Sequence, residues 1–337
     1  MPPRFPLFRP ADEITRARHI LEVLVRNGLG FLVENLGLSR LLPRRRGRQL
    51  REGAIASGLS VPARVRLTLE QLGTTYIKLG QILSTRPDLL PPAYIIELSK
   101  LLDSAPPVPA DEIIAVIQQE LGGPLERWFS HFEREPVASA SIGQVHRATL
   151  RDGAAVVVKV QRPGVERNVQ ADLRLILSQA RFFEARSATL RQYGLVDILE
   201  EFSYSLRDEL DYTYEARNAE RLREMVGHEG VLIPQVFWDL TTRRVIVLSE
   251  LQGIQLNELD RLRAHGYDLS SIAARVVDVY LSLVFRHGIF HADPHPANIM
   301  VCDRQIGLID FGVVGYLTPR IREDLAGLLA ALVQQDA

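Results

Sequence analysis

Apolar residues in the first third of the chain recur every three to four positions, a spacing that predicts helices. The pattern predicts three of them, over residues 12–32, 60–84 and 111–121. Ser60 followed by Pro62 is typical of a helix start, and Gly122 after an apolar stripe is typical of a helix end. The chain therefore begins with a helical region.

From about Phe132 the helical period ends, and short stretches bounded by a turn signal predict strands. Two such stretches, 137–145 and 156–160, flank the turn sequence Arg151-Asp-Gly153 and predict a hairpin. Lys159 stands among valines in the second stretch. It is either a charge that guards a sheet edge or a lysine that reaches nucleotide phosphates behind a loop of small residues. We favour the second interpretation because small residues precede the hairpin.

Helical spacing returns over residues 195–225 and predicts one long helix that carries three carboxylates, Glu209, Asp211 and Glu215. At about 100° per residue, Asp211 and Glu215 share a face, whereas Glu209 lies about 200° from Asp211. The three acids can line one pocket only if the helix is kinked near Leu210. A lysine beside nucleotide needs an acidic partner, so Glu215 and Asp211 are both candidates, although such acids often form a solvated face.

A buried strand over 244–250 leads through Glu250 and Leu251 into a linker, where the backbone would meet an adenine ring. An apolar helix over 272–286 then runs into the stretch His291-Ala-Asp-Pro-His-Pro-Ala-Asn298, and Asp310-Phe-Gly312 follows twelve residues later.

The polar residues of this last stretch fit phosphoryl transfer. Asp293 can orient an attacking oxygen, and Asn298 and Asp310 can hold Mg²⁺ against the phosphates. The alternative is that Asp-Pro and His-Pro only form turns. The hairpin with Lys159 provides the context that favours phosphate chemistry.

Composition restricts the remaining possibilities. The 337 residues are 46% hydrophobic with a formal net charge of −1, which suits one large or two ordinary globular domains and gives no global attraction for nucleic acid. The single Cys302 excludes a disulfide framework and suits a reducing, cytoplasmic compartment. The sequence shows no secretion signal and no apolar run of the roughly 18 residues that a spanning helix needs.

The N-terminal region has one feature that favours a membrane surface. The first predicted helix is amphipathic and precedes the arginine-rich stretch 44–51. Such a combination docks on anionic lipid, or else the helix packs on its own domain beside a solvated basic loop.

In this order the motifs resemble the UbiB/AarF-type family of atypical kinase-like proteins, which is associated with ubiquinone and other isoprenoid-quinone biosynthesis. Lys78-Leu-Gly-Gln81 looks like the KxGQ motif of that family, and Glu209-Leu-Asp211 looks like its ExD motif. The segment 291–312 looks like its catalytic and metal loops. The alanine-rich loop that replaces the glycine loop of ordinary kinases matches Val137, Ala138, Ser139, Ala140, Ser141, Ile142, Gly143, Gln144 and Val145.

The resemblance implies a two-lobed α+β kinase-like fold. A helical N-terminal extension with KxGQ would cover 1–125, an N-lobe 126–253, and a short C-lobe 254–337. Kinase C-lobes have several helices after the DFG motif, so we expect a truncated piece.

The resemblance also implies roles for the motif residues. Lys159 would bind the α- and β-phosphates of ATP or ADP and pair with Glu215, while Asn298 and Asp310 would hold Mg²⁺. Lys78 would meet the acids of the ExD motif over the nucleotide.

Departures from ordinary protein kinases leave the acceptor open. Ala292 replaces the arginine of the HRD loop, His295 replaces a lysine, and Ala138 and Ala140 stand where glycines would let the backbone approach phosphate closely. The last departure predicts a stiffer loop with altered nucleotide preference.

Three functions remain. The first is an Mg²⁺-dependent atypical kinase or ATPase in quinone-lipid metabolism, peripheral at the inner face of the cell membrane, with quinone-precursor lipids as partners. The second is a small-molecule kinase of the aminoglycoside or choline type, and the third is a pseudokinase scaffold switched by nucleotide. The sequence leaves the oligomeric state open.

Overall fold

The computed structural model describes residues 11–30, 58–101, 105–227, 230–292, 294–303 and 305–334. The α-helices are α1 (Ala11–Arg26), α2 (Val61–Leu72), α3 (Thr74–Ser84), α4 (Pro92–Leu98), α5 (Ala110–Leu121), α6 (Val165–Glu184), α7 (Ala188–Gln192), α8 (Leu195–Glu209), α9 (Tyr212–Val226), α10 (Leu259–Ala264), α11 (Leu269–Ser282) and α12 (Pro319–Gln334). The strands are β1 (Phe129–Phe132), β2 (Ala138–Ser139), β3 (Gly143–Leu150), β4 (Ala155–Gln161), β5 (Val231–Leu232), β6 (Val245–Ser249), β7 (Ile254–Gln255), β8 (Ile289–His291), β9 (Ile299–Cys302), β10 (Gln305–Leu308) and β11 (Val314–Tyr316).

The chain divides into two compact units. The first unit comprises Met1–Val108, Ser139–Gly143 and Arg162–Arg207. The second unit comprises Pro109–Ala138, Gln144–Gln161 and Asp208–Ala337.

In the first unit, the helix predicted over 60–84 is wrong, because the structure has two helices there. Gly73 adopts a φ of 91°, which ends α2, and its N–H donates to the carbonyls of Leu69 and Glu70. A side chain would be strained at this φ, so glycine provides the break between α2 and α3. The first helix is also shorter than predicted and ends at Arg26.

A partly buried ion pair and its hydrogen bonds join four helices of this unit. The Arg16 guanidinium of α1 donates to both carboxylate oxygens of Asp172 on α6, at 2.7 and 2.8 Å. The Thr75 hydroxyl of α3 donates to the same carboxylate at 3.0 Å. The Arg16 guanidinium also donates to the carbonyl of Leu72, at the end of α2. Because Asp172 and Thr75 are both buried, this network fixes the start of α3, the helix that carries the KxGQ motif.

Gly80, the glycine of the KxGQ motif, is a packing position. A Cβ placed there would lie 2.4 Å from a methyl of Leu101 and 2.8 Å from a methyl of Leu69. Glycine therefore lets α3 approach its neighbours more closely than alanine would allow.

We expect Gly80→Ala to lower the free energy of unfolding by up to about 2 kcal/mol, since overpacking costs roughly 1–3 kcal/mol and the better helix propensity of alanine returns about 1 kcal/mol. Gly327→Ala is the matched control, because Gly327 lies in α12 and a Cβ placed there would meet nothing within 4 Å. Urea denaturation of both variants checks this. Equal stabilisation of the two would show that α3 has room at position 80.

The second unit contains an antiparallel sheet with strand order β1-β3-β4-β6, and β2 pairs with β3. Lys159 of β4 lies opposite Ile246 of β6. Since β4 has neighbours on both sides, Lys159 does not guard a sheet edge, and that alternative is excluded. The hairpin predicted at the turn 151–153 is confirmed, because β3 and β4 are neighbours on either side of it, but its first strand begins at Gly143 and not at Val137.

The helix predicted over 195–225 is also wrong, because α8 ends at Glu209 and α9 begins at Tyr212. Asp211 has extended backbone angles, and its Oδ1 accepts a hydrogen bond from the N–H of Thr213 at 3.0 Å. An aspartate in this position caps a new helix. The break falls where the three carboxylates required a kink.

A second sheet, with strand order β5-β10-β9-β7, and the two-stranded pair β8-β11 carry the remaining motifs of this unit. A large apolar core, which includes Ala216 of α9, Ile246 of β6 and Phe311, packs behind them.

Within the described ranges, no helix is both long and apolar enough to cross a membrane. The arginine-rich stretch 44–51 lies outside the described residues.

Candidate functional site

Lys159 of β4 and Glu215 of α9 form a largely buried ion pair in the second unit. The Lys159 ammonium donates to both oxygens of the Glu215 carboxylate, each at 2.8 Å. The Lys159 side chain is 26% exposed and that of Glu215 is 6% exposed. The predicted pairing of Lys159 with Glu215 is therefore present in the structure.

Asp211, the other candidate partner, is engaged elsewhere. Its carboxylate caps α9 and accepts a hydrogen bond from Nε of Arg243 at 3.1 Å. The choice between the two acids that periodicity left open is therefore decided in favour of Glu215.

Neighbouring carboxylates shift the pKa values of both members of this pair. Burial alone would lower the pKa of Lys159, but the charges of Glu215 and Asp310 and the hydrogen bond to Glu215 outweigh burial and raise it. Burial raises the pKa of Glu215; Lys159 opposes this shift, whereas Asp310 and Glu209 add to it. Asp310 and Glu209 are therefore close enough to the pair to act on it electrostatically.

Tyr212 packs its ring against the lysine. The Lys159 Nζ lies 5.2 Å from the ring centroid, within the range of a cation–π contact. Burial raises the pKa of the Tyr212 hydroxyl. The hydroxyl is itself buried and makes no hydrogen bond to any described residue.

We expect Tyr212→Phe to leave the unfolding free energy unchanged or raise it by about 1 kcal/mol, since a buried hydroxyl without a partner costs roughly 1–3 kcal/mol. The phenylalanine ring keeps the contact with Lys159. Thermal unfolding checks this, with Tyr204→Phe as control because Tyr204 is exposed. A loss above about 1 kcal/mol would mean that the hydroxyl has a polar partner.

The turn between α8 and α9 is held by a residue that periodicity did not indicate. Gln161 is fully buried, and its amide donates to the carbonyl of Leu210 at 2.6 Å and to that of Arg243 at 3.1 Å. Gln161 lies two residues after Lys159 on β4, on the same face of the sheet. The strand therefore fixes both the ExD turn and the pair with Glu215. The sequence signal that could have indicated this role is a glutamine, Gln161, directly after the valine-rich run 156–160.

The predicted metal ligands Asn298 and Asp310 flank the hairpin of β9 and β10. Leu308 pairs with Ile299, and the carbonyl of Asn298 accepts a hydrogen bond from the N–H of Ile309 at 3.1 Å. This pairing brings the two residues to the same end of the hairpin.

The backbone around Asp310 is fixed on both sides. The Asp310 Oδ1 accepts from the N–H of Gly312 at 2.9 Å, and the carbonyl of Phe311 accepts from the Asn218 amide at 2.9 Å. The buried His291 donates from Nε2 to the Asp310 carbonyl, which sets its tautomer because a carbonyl only accepts.

The donor set at this hairpin end fits Mg²⁺. Carboxylate and amide oxygens are hard ligands of the kind Mg²⁺ takes, usually one or two per ion with water and phosphate completing the shell. In the described part of the chain, no group of three or more His, Cys, Asp or Glu side chains forms a self-sufficient cage.

The other described residues of the stretch 291–298 make local contacts. His295 accepts a hydrogen bond at Nδ1 from the N–H of Ala297 at 3.1 Å and caps a short 3-10 turn, Pro296–Asn298. The N–H of Ala292 donates to the carbonyl of Val313. The predicted base, Asp293, lies outside the described residues, so its role stays a prediction.

The predicted adenine contacts, Glu250 and Leu251, follow the end of β6. The N–H of Glu250 already donates to the carbonyl of Ala155 at 3.0 Å, and its carboxylate accepts from Arg147 at 2.7 Å. The Glu250 N–H is thus already used within the sheet, and an adenine here would have to bond to other backbone groups.

The alanine-rich segment 137–145 is a tight hairpin. The N–H of Val137 donates to the carbonyl of Val145 and the N–H of Ala140 to that of Gly143, both at 2.8 Å. Gln144 is fully buried beside His146. Among the described residues other than glycine, positive φ is confined to Asp303. Ala138 and Ala140 therefore have negative φ values, which alanine adopts without strain.

The KxGQ residues belong to the first unit, where Gln81 donates to the carbonyl of Leu101 at 3.3 Å and Lys78 is partly buried. The ExD acids Glu209 and Asp211 belong to the second unit. Their predicted meeting with Lys78 stays a prediction.

Residues 100–337 match the family model of the ABC1 atypical kinase-like domain. The chain belongs to the ABC1 atypical kinase-like family. Its α+β architecture is the kinase-like fold of that family, which confirms the resemblance drawn from the KxGQ, alanine-rich, ExD and DFG motifs.

Two curated relatives are similar to this ABC1-family chain over most of its length. The chain is 40% identical over 303 residues to the probable protein kinase UbiB of Azotobacter vinelandii, covering 88% of this chain and 55% of that one. It is also 40% identical over 275 residues to the chloroplastic Activity of bc1 Complex Kinase 7 of Arabidopsis thaliana, covering 81% of this chain and 39% of that one. The chain thus spans about half the length of the UbiB relative.

One solved structure is similar in fold and sequence. The Mycobacterium tuberculosis protein Rv3197, determined as a complex with erythromycin, aligns with a TM-score of 0.55 and 31% identity, covering 81% of this chain and 68% of that one.

Proposed function

We propose that this chain binds ATP or ADP with Mg²⁺ and acts as an atypical kinase or ATPase in the biosynthesis of ubiquinone or another isoprenoid quinone. The observation that carries the proposal is the largely buried pair between Lys159, on an interior strand, and Glu215. The charge of Asp310 raises the pKa of both groups. Forty per cent identity to a probable protein kinase UbiB supports the pathway.

Each motif has a role in this proposal. Lys159 binds the α- and β-phosphates, and Glu215 keeps the ammonium extended towards them. Asn298 and Asp310 hold Mg²⁺, which when bound neutralises charge on the phosphates. Asp293 orients the attacking oxygen. The alanine-rich segment 137–145 covers the phosphates.

The remaining motifs concern selectivity. Glu250 and Leu251 contact the adenine through their backbone. Lys78 and Gln81, with the acids Glu209 and Asp211, close over the nucleotide and keep protein substrates out.

A small-molecule kinase is the second candidate. His291, Asp293 and His295 match the H-x-D-x-H pattern of such enzymes, and the related Rv3197 was solved with erythromycin, a small molecule. The KxGQ helix opposes this candidate, because a kinase of soluble alcohols has no need of a helical lid.

ATP turnover by the full chain separates these candidates. We expect turnover to rise with anionic liposomes and a quinone-precursor mimic. Turnover that ignores lipid and responds to a soluble alcohol would favour the small-molecule kinase. Nucleotide binding without turnover under any condition would favour a nucleotide-switched scaffold.

For location, we propose peripheral attachment at the inner face of the cell membrane through the arginine-rich stretch 44–51. The basic charge of that stretch supports this. Co-sedimentation with anionic and with neutral vesicles tests it, and equal sedimentation with both would exclude an electrostatic contact.

A further inference from the structure

Arg162 holds the tip of the alanine-rich segment, residues 139–143, within the first unit. Its Nε donates to the carbonyl of Ala140 at 2.7 Å, one Nη2 bond reaches the hydroxyl of Ser139 at 2.8 Å, and its backbone N–H donates to the carbonyl of Ile142 at 2.8 Å. One residue therefore bonds three positions of the loop.

Two further donors complete the contacts. The hydroxyl of Thr74 donates to the carbonyl of Ser141 at 2.7 Å, and the N–H of Ala105 donates to the carbonyl of Ser139 at 3.1 Å. The carbonyls of the four consecutive residues 139–142 thus each accept a bond from outside the loop. We call Arg162, Thr74 and Ala105 the loop clamp.

The loop clamp is itself fixed. Arg162 also donates from Nη2 to the carbonyl of Pro106 at 2.8 Å, so its guanidinium is tied on two sides. Thr74 is the first residue of α3, next to the Thr75 that bonds the buried Asp172. A planar guanidinium can serve several acceptors at once, which a lysine ammonium on a flexible stem does less well.

The stiffness of the loop comes from its anchored carbonyls and not from its alanine side chains. The alanines adopt ordinary φ values, so their side chains do not by themselves strain the backbone. Four anchored carbonyls do restrict it, because each peptide plane can no longer rotate freely to present its N–H to a phosphate.

We infer that Arg162 and Thr74 are positioning residues that immobilise the alanine-rich segment and thereby set the preference between ATP and ADP. Immobilisation is a property of the loop alone; the effect on preference rests on the proposed nucleotide function.

Three variants of the full chain test the clamp. Arg162→Met keeps the aliphatic part of the side chain and removes the guanidinium, whereas Arg162→Lys keeps the positive charge. Thr74→Val keeps the shape of the side chain and removes the hydroxyl donor. Arg167→Met is the matched control, because Arg167 lies on the exposed side of α6. Amide hydrogen exchange over 139–143 is measured without nucleotide. The dissociation constants of Mg-ATP and Mg-ADP are measured for each variant and for Ala140→Gly.

We expect Arg162→Met to speed exchange over 139–143 by about tenfold, with Arg162→Lys close behind and Thr74→Val smaller, since a bond from a charged donor is stronger than one from a hydroxyl. Arg162→Met should also change the ratio of the two dissociation constants by about fivefold, the effect of losing one bond of ordinary strength. Ala140→Gly should change this ratio in the same direction. In the double variant with Arg162→Met, Ala140→Gly should change the ratio no further. Global stability loss alone would not produce that non-additivity.

Unchanged exchange over 139–143 in Arg162→Met overturns the clamp, whatever the nucleotide results. Faster exchange with an unchanged ratio overturns its effect on preference. Absence of nucleotide binding by the parent and by Arg167→Met would instead overturn the proposed function, while the exchange data still decide the clamp.

Discussion

Asp310→Asn is expected to weaken Mg²⁺-dependent nucleotide binding by about 100-fold or more. Loss of groups that merely support a metal ligand costs roughly 10–100-fold, and Asp310 is the charged member of the proposed ligand pair. Asparagine keeps the Oδ1 that accepts from the N–H of Gly312, so the loop should keep its conformation. Calorimetric titration with Mg-ATP measures the loss.

Asp303→Asn is the matched control for this variant. Asp303 is exposed on the same β9–β10 hairpin and has a φ of 52°, a conformation that asparagine tolerates as well as aspartate does. Equal binding by Asp310→Asn and the control would remove Asp310 from the metal site.

Lys159→Met is expected to lower the free energy of unfolding by about 3–5 kcal/mol at neutral pH, the usual result of breaking a buried ion pair. The substitution leaves the Glu215 carboxylate buried beside Asp310 without its cation. Glu215→Gln should cost less, because Asp310 still acts on the Lys159 ammonium that remains. Urea denaturation compares the two.

The loss in Lys159→Met should shrink as the pH falls from 7 to 5. Burial already raises the pKa of Glu215, and removing the lysine that opposes this shift raises it further. Between the unfolded pKa of about 4.3 and the folded pKa, the folded chain then binds more protons, so its stability falls as pH rises.

Lys100→Met is the control for this pair, because Lys100 forms an exposed ion pair with Glu97, and such pairs contribute about 0–1 kcal/mol. A loss in Lys159→Met no larger than that of the control, or one independent of pH, would contradict a stabilising buried pair.

The sequence predicted the parts of this site that depend on local pattern. The valine run after the turn Arg151-Asp-Gly153 located the strand of Lys159, and the DFG motif located Asp310. At 100° per residue, Glu209, Asp211 and Glu215 could share a pocket only with a kink near Leu210, and the structure has a break there. Single-element periodicity could not show which acid pairs with the lysine, because that depends on how α9 packs against β6.

Other features were missed for identifiable reasons. The stripe over 60–84 continues through Gly73 with a helical period, so only the positive φ of that glycine reveals two helices. Gln161 and Arg162 follow Lys159 closely and resemble surface polar residues in the sequence. Their partners, the carbonyls of Leu210 and Ala140, are backbone atoms distant along the chain, and no side-chain pattern marks them.

An Mg²⁺-nucleotide site built on Lys159 and Asp310 is tested most directly by titrating the full parent chain with ATP, first in Mg²⁺ and then in EDTA. We predict one-to-one binding that weakens by about tenfold or more when Mg²⁺ is removed, since the metal would join the Asp310 carboxylate to the phosphates and neutralise their charge. Equal binding in both buffers, or none in either, would contradict such a site.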